Sequence, residues 1–491
     1  MSEQMGQAIV QQGRNCWRIE KAEQAKVIVD AADYYALLEG LMENAKERIL
    51  LIGWDFDPRI ALKPDEKGKG ESLGHFLLRL AHEQPERDID ILRWNFGGLK
   101  QFLSPAIVSM ILRWKVTKSI RFRLDSAHPL GCSHHQKVAV FDDHLAVCGG
   151  IDVASRRWDT RDHQDDDPRR TEPNGKAYEP WHDVTMILAG PVGSALSDLG
   201  KQRWQRATKG DLPELQHRGE NWPADLKPDF ENIDVAISRT RAEYDDMDEL
   251  REIEQLYLDM IKAAKTFIYF ENQYFTSGKI AAAIAERLHE EDPPEFIMVM
   301  PEQGDGWLEQ MAMDAARVLL AREIAKAPHG NRFRIYTPRT KAGASIYVHA
   351  KVSVVDDRLL RIGSSNLNNR SMGLDSECDV TIDAALPANA DTPAMIRAIR
   401  ESLIAEHLDI TAEQVARRYD EGASLITLIE EFRGAGRSLE WLDLEKPGPL
   451  DEFIANNELL DPTNPDAMFE TPGEHGIKSY FKRRWFRKKR R

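Results

Sequence analysis

His135-Gln136-Lys137-Val138-Ala139-Val140-Phe141-Asp142 is answered, more than two hundred residues later, by His349-Ala350-Lys351-Val352-Ser353-Val354-Val355-Asp356. Both stretches read His-x-Lys-x-x-x-x-Asp. Each passes through a turn, Asp142-Asp143-His144 or Asp356-Asp357-Arg358, and returns as an apolar run, Leu145 to Cys148 or Leu359 to Ile362. Each then reaches a small-residue turn, Gly149-Gly150 or Gly363-Ser364-Ser365-Asn366. Two short apolar runs around an Asp-rich turn predict a β-hairpin. Residues two apart share one face of a strand, which places the imidazole and ammonium of each motif side by side.

Working outward, the surroundings of the motif repeat as well. Ala45 to Trp54 and Ala264 to Gln273 are each a helix end running into an apolar strand that stops at polar residues. A helix follows in both copies, Leu73 to His82 and Lys279 to His289. Next come the strands Ile89 to Trp94 and Glu295 to Met300, then Ile120 to Leu124 and Arg332 to Tyr336. Helices alternating with short apolar strands predict α/β layers, and two copies predict a pseudo-twofold pair of domains. The expected division is an N-terminal segment 1–40, a first domain 41–208, a linker 209–232 and a second domain 233–410. A helical and irregular extension, 411–476, and a tail, 477–491, complete it. Thr392 to His407 and Thr411 to Leu442 read as helix. Between Arg156 and Pro180 the chain is polar and turn-rich, as in a long loop near the first motif that is either a functional lid or disordered.

The chain has 491 residues, room for two to four domains, and a formal charge of −15. That acidic bulk argues against nucleic acid as the partner. No stretch has the roughly 18 apolar residues of a membrane span, and no secretory signal is visible. Cys16, Cys132, Cys148 and Cys378 are widely spaced and are expected to be reduced thiols, not zinc ligands. Lys478 to Arg491 holds nine basic residues and no acid, with Tyr480, Phe481, Trp485 and Phe486 interleaved. Such a tail suits an anionic membrane surface, and equally a solvated, unstructured end. The expected location is cytoplasmic with peripheral membrane contact.

A phosphodiester is an anion with a poor leaving group. Cleaving it without a metal or cofactor needs a nucleophile, an acid for the leaving oxygen, and cations for the other oxygens. Histidine suits the first two tasks because its pKa lies near 6.5. His135 and His349 can divide them, and Lys137 and Lys351 supply fixed positive charge. Each imidazole also needs an orienting partner; the candidates are Asp183 and Glu377. Asp142 and Asp356 complete the catalytic motif in sequence. They fall at the hairpin turn, however, and are expected to brace it instead of touching phosphate. His128, His134, His144 and His182 read as structural. Trp54, Trp94, Trp158 and Trp181 read first as core or rim packing residues, with the floor of a headgroup pocket as the alternative. Glu271-Asn272-Gln273, at a strand end, is a candidate for ligand contact.

These residues resemble the phospholipase D superfamily, and most of all the catalytic part of the eukaryotic and plant enzymes. Beyond the paired motif, the resemblance rests on Gly149-Gly150-Ile151-Asp152 with Arg157-Trp158-Asp159, on Pro180-Trp181-His182-Asp183, and on Ile268 to Phe275. It also rests on Gly363 to Ser371, Asp375-Ser376-Glu377 and Glu406-His407-Leu408. It spans roughly residues 40 to 410. It implies two α/β/α sandwich domains sharing one site, with His135 as nucleophile and His349 as general acid. It places Lys137, Lys351, Asn366 and Asp152 around the phosphate, with Asp183 and Glu377 as histidine partners. The implied activity is hydrolysis of a phospholipid to phosphatidic acid and free headgroup, with transfer to an alcohol as its variant. A cardiolipin-synthase-like transferase is the alternative, and a nuclease of the same superfamily a weaker one. The chain leaves no room for the calcium-binding C2 domain of the plant enzymes, so their calcium dependence is not expected here.

Overall fold

A computed structural model of the chain describes residues 7–95, 104–216, 219, 222–304, 307–434, 436–442 and 461. The basic tail lies outside them. The first copy runs β1 (Arg18–Val29), α1 (Ala31–Asn44), β2 (Arg48–Gly53), α2 (Leu73–Glu83), β3 (Asp88–Trp94) and α3 (Pro105–Val116). It continues through β4 (Ile120–Asp125), β5 (Val138–Phe141), β6 (Leu145–Gly149), β7 (Trp181–His182), β8 (Val184–Ala189) and α4 (Pro191–Thr208). The second copy runs β9 (Phe230–Arg241), β10 (Leu250–Arg251), α5 (Glu252–Ala263), β11 (Phe267–Glu271), α6 (Gly278–Arg287), β12 (Glu295–Val299) and α7 (Trp307–Ala325). It continues through β13 (Phe333–Arg339), β14 (Tyr347–Val348), β15 (Val352–Val355), β16 (Leu359–Gly363), α8 (Asn369–Gly373), β17 (Glu377–Asp383) and α9 (Pro393–Leu408). Then follow α10 (Ala412–Asp420), α11 (Leu425–Phe432) and β18 (Ser438–Trp441).

The strand order β4-β3-β2-β5-β6-β8-β1 in the first copy is matched by β13-β12-β11-β15-β16-β17-β9 in the second. β1 pairs antiparallel with β9, with Arg18 opposite Ile237 and Ala25 opposite Phe230. The two copies therefore share one continuous sheet, with the pseudo-twofold at that pair. Alternation along β2 shows why it needs cover on both faces. Ile49 and Leu51 enter one core, with α1, α2 and α3; Leu50 and Ile52 enter another, with α4. That second core runs unbroken under both copies and also takes in α9, α10 and α11. The result is α/β/α layering.

The aspartates that end the two motifs hold this frame. Asp142 accepts hydrogen bonds from the backbone N–H groups of Lys46, Glu47 and Arg48 at 2.8, 2.8 and 2.9 Å. Asp356 does the same for Lys265, Thr266 and Phe267 at 2.7, 2.8 and 2.9 Å. Asp142, Asp143, Asp356 and Asp357 all have positive φ, between 50° and 56°. That is the left-handed geometry of a hairpin turn, which Asp tolerates better than most residues.

Three expectations are corrected. Residues 18–29, assigned to an N-terminal segment, form β1 at the centre of the sheet. Its Lys21 and Glu23 are exposed and Arg18, Glu20 and Lys26 only partly buried, so its apolar run is confined to Val27-Ile28-Val29. The stretch to Leu442 is not helix throughout: Gly434 and Gly436 have positive φ, and β18 then pairs antiparallel with β13. The loop 156–180 is pinned, not a free lid. Asp159, His163, Asp167 and Arg170 are buried, and Arg161 and His163 reach Glu406 in the second copy.

Candidate active site

β2 and β11 each end in polar residues, and the two motifs meet at the seam between the copies. His135 and Lys137 lie in the extended segment just ahead of β5, not inside the strand. The backbone N–H of His135 donates to the carbonyl of Ser376 at 2.9 Å. In the second copy the N–H of His349 donates to the carbonyl of His182 at 2.8 Å. Each histidine is thus seated on the backbone of the other copy. The two imidazoles face one another edge to face, with ring centroids 6.5 Å apart.

The side-chain partners cross over in the same way. His135 Nδ1 lies 3.0 and 3.1 Å from the carboxylate oxygens of Glu377. His349 Nδ1 lies 2.7 Å from Asp183 Oδ2. Nδ1 is engaged on both rings, so Nε2 is the nitrogen left for a ligand. Glu377 also accepts from the hydroxyls of Ser364 at 2.5 Å and Ser371 at 2.6 Å. Asp183 accepts from its neighbour, the N–H of Val184, at 2.8 Å. Gly150 makes room for it: a Cβ there would stand 2.0 Å from Asp183 Oδ1.

The lysines are poised differently. Lys137 Nζ donates to the carbonyl of His135 at 2.9 Å and lies 3.1 Å from Asp152 Oδ2. Lys351 Nζ donates to the carbonyl of His349 and to Gln273 Oε1, the latter at 3.3 Å. The guanidinium of Arg157 stacks on Trp181 at 4.2 Å, and Trp181 tilts against His349 at 5.2 Å. Trp54 stands edge-on to His135 at 6.4 Å. Two of the four tryptophans read as packing residues therefore flank the imidazoles. Trp158 is buried under Arg169 as expected.

Electrostatics follow from burial and crowded cations. Burial drives His135 well below the ordinary histidine range, helped by Lys137 and Lys351. Burial, Lys351 and Arg157 do the same to His349. Burial pushes Lys351 down to about 7 against the pull of Asp183. Burial also pushes Asp183 up to about 6 and Glu377 up to about 8. Each histidine–carboxyl pair accordingly works as a unit holding a proton between its partners.

Of the residues named from sequence, the structure brings together His135, His349, Lys137, Lys351, Asp152, Asp183 and Glu377. Asn366 is buried beside Ser365 at the place equivalent to Asp152, and its Oδ1 lacks a hydrogen-bond partner among the described residues. Asp142 and Asp356 are not in the site. They sit at the far ends of β2 and β11, roughly 16 Å of strand away. Gln273, one of the strand-end candidates, is placed beside Lys351; sequence reasoning missed the Ser364 and Ser371 hydroxyls on Glu377, and Asp30. The last accepts the N–H of Asp183 at 3.0 Å. The polar run Gly363 to Ser371 carries the signal for the hydroxyls; nothing local marks Asp30.

A second polar cluster lies directly behind. His182 Nδ1 is 3.1 Å from Asp30 and 2.9 Å from Glu406, and its Nε2 is 2.8 Å from Glu271. His163 touches Asp159 at 2.9 Å and Glu406 at 3.1 Å; His407 touches Glu271 at 3.1 Å. Burial opposes charge on His163, but Asp30, Asp159 and Glu406 outweigh it and push it up to about 9. These separations are hydrogen-bonding distances, and protonated His163 and His182 with Arg161 and Arg170 offset the carboxylates. The cluster ties both copies together under the Asp183–His349 pair, which agrees with the structural reading of His182. His134, on Ser376 and Asp125, and His128, on Trp94, are structural too.

A duplicated α/β chain with a histidine and a lysine from each half at one seam defines a narrow class of protein. The chain belongs to the phospholipase D family, whose model matches residues 41–292 and 278–420. It is similar to phospholipase D A of Dictyostelium discoideum, 24% identical over 71% of this chain and 32% of that protein. It is also similar to phospholipase D alpha 1 of Arabidopsis thaliana, 25% identical over 76% of this chain and 63% of that protein. The chain thus spans less than two thirds of the length of these relatives. In fold it resembles the crystal structure of phosphatidylserine synthase from Haemophilus influenzae Rd KW20. There the TM-score is 0.51 and the identity 13%, over 89% of this chain and 92% of that one.

Proposed function

We propose that this chain is a phosphodiesterase that hydrolyses the distal phosphodiester of glycerophospholipids to phosphatidic acid and a free headgroup. The observation that carries the proposal is the crossed pair of histidine–carboxyl couples facing each other at 6.5 Å. Neutral His135, held by Glu377, attacks phosphorus through Nε2, so an N–P bond forms as the P–O bond to the headgroup breaks. His349, held by Asp183, gives its proton to the departing oxygen. Lys137, Lys351 and Arg157 offset charge on the other phosphate oxygens. An anionic substrate offsets the cations that add to burial in depressing both histidines, which lets His349 carry its proton. Water, deprotonated by His349, then opens the phosphohistidine; an alcohol in its place gives transphosphatidylation.

The names of the family's curated members support phospholipid as the substrate class. The tail Lys478 to Arg491 is proposed as a peripheral membrane contact on its composition alone. The test is mass spectrometry of products from a total lipid extract, with and without ethanol. Phosphatidic acid without ethanol, and phosphatidylethanol with it, is the expected result. With phosphatidylglycerol as sole lipid, cardiolipin as the dominant product would transfer the assignment to a phosphatidyltransferase. Release of no headgroup from any lipid would end the phospholipase reading.

A further inference from the structure

α3 is an amphipathic helix with the wrong partition for a helix facing water. One face is accounted for. Met110 and Trp114 are buried against α2, and Trp114 Nε1 donates to the carbonyl of Gly74 at 3.2 Å. The opposite face carries Val108, Leu112 and Val116, spaced four apart and so aligned in one stripe. They are 41%, 58% and 84% exposed, and nearby Leu130 is 79% exposed. These four are most of the large exposed apolar side chains among the described residues; Trp441 is the other. A helix apolar on both faces normally has a partner on each.

Charge around the stripe identifies the partner. From Ser104 to Leu124 the chain holds Arg113, Lys115, Lys118, Arg121 and Arg123 and no acid, in a molecule whose formal charge is −15. Arg121 is engaged by Asp88 and Asp90. Arg113, Lys115, Lys118 and Arg123 are exposed and edge the stripe. An apolar stripe with a cationic border matches an anionic lipid surface, where the apolar side chains enter the acyl region and the cations meet headgroups. It matches a second copy of this acidic chain less well, because the stripe would bring its basic border against itself.

The stripe also connects to the site. β4 is the edge of the sheet among the described residues, and α3 packs on it. From His135 an aromatic wall leads outward: Trp54, then Trp94 stacked on it at 5.6 Å, then His128, which accepts from Trp94 Nε1 at 3.0 Å. His128 stands two residues before exposed Leu130. We propose that α3 and Leu130 form a membrane-docking face that seats the first copy on anionic bilayers beside the mouth of the site. The inference rests on the phospholipase reading for its purpose, but not for its test.

The test compares the full chain with its Leu112→Glu/Val116→Glu variant, two exposed changes outside the site. Co-sedimentation with mixed phosphatidylcholine–phosphatidylglycerol vesicles is measured at low and high salt, alongside turnover of monomeric dibutyrylphosphatidylcholine. Vesicle binding and vesicle turnover should fall about tenfold or more, and turnover of the monomeric lipid should stay unchanged. Added salt should weaken wild-type binding. Equal vesicle binding by the two proteins would overturn the docking face, as would a wild-type dimer that the variant dissociates. Absence of turnover on the monomeric lipid by either protein would instead count against the phospholipase reading, and the binding comparison would still decide the docking face.

Discussion

Lys137 faces the carboxylate of Asp152 at 3.1 Å, whereas Lys351, at the same place in the second copy, faces the amide oxygen of Gln273 at 3.3 Å. Asn366 occupies the position of Asp152 there. Arg157, from the first copy's long loop, leans over Trp181 toward His349 and adds another cation to that side. Lys137 therefore touches a carboxylate, whereas Lys351 touches an amide and feels the carboxyl of Asp183 from farther off. Duplication preserved the motif and the hairpin, and substitution at a single equivalent position changed its electrostatics. The half with Lys351 and Arg157 is the more cationic one in direct contacts, and it surrounds the histidine assigned to protonate the leaving oxygen.

The strongest way to break this comparison is to remove each imidazole in turn. His135→Asn and His349→Asn should each lower turnover by several orders of magnitude, since neither nucleophile nor acid has a substitute nearby. A substrate with a good phenolic leaving group should partly rescue His349→Asn but not His135→Asn. Equal rescue of both would erase the division of labour between the halves.

A smaller effect sharpens the charge contrast. Lys351 is charged below about 7. The pH profile of kcat/KM, which reports the free enzyme, should therefore fall along an alkaline limb that Lys351 sets near that value. Asn366→Asp restores to the second copy the carboxylate of the first. It should raise the pKa of Lys351, carry the alkaline limb upward, and lower kcat/KM about tenfold by cancelling a cation. An alkaline limb that stays in place in Asn366→Asp would show that Lys351 does not set it.

The smallest effect on catalysis belongs to the motif aspartates. Asp142→Ala strands three N–H groups, that of Arg48 buried and those of Lys46 and Glu47 partly so, and should cost about 1–3 kcal/mol of stability while leaving kcat near wild type. Asp356→Ala should cost less, because its carboxylate and partners are more exposed. Denaturant unfolding of the two variants, with activity measured below the transition, checks both. Loss of activity without loss of stability would return these residues to the chemistry.

Much of the architecture is legible because it depends on local pattern. Apolar runs such as Arg48–Gly53 and Phe267–Glu271 predict strands. The two-Asp turns predict hairpins, and their recurrence predicts two copies. β1 is not legible, since its side chains alternate between partial exposure and cover and its cohesion comes from backbone pairing with β8 and β9. β18 is hidden for a similar reason, an edge strand recruited after two glycines.

What the sequence by itself determined is the chemistry on offer: two imidazoles, two ammonium groups and a choice of two carboxyls, repeated with the same spacing. What only the tertiary structure decided is who serves whom. Glu377 holds His135 and Asp183 holds His349, each across the seam between copies, and Asp142 and Asp356 are carried to the far ends of their strands. Spacing along a chain sets which residues share a strand face. Pairing across a pseudo-twofold depends on how two separate hairpins dock, and that is settled by the shared sheet and the core beneath it.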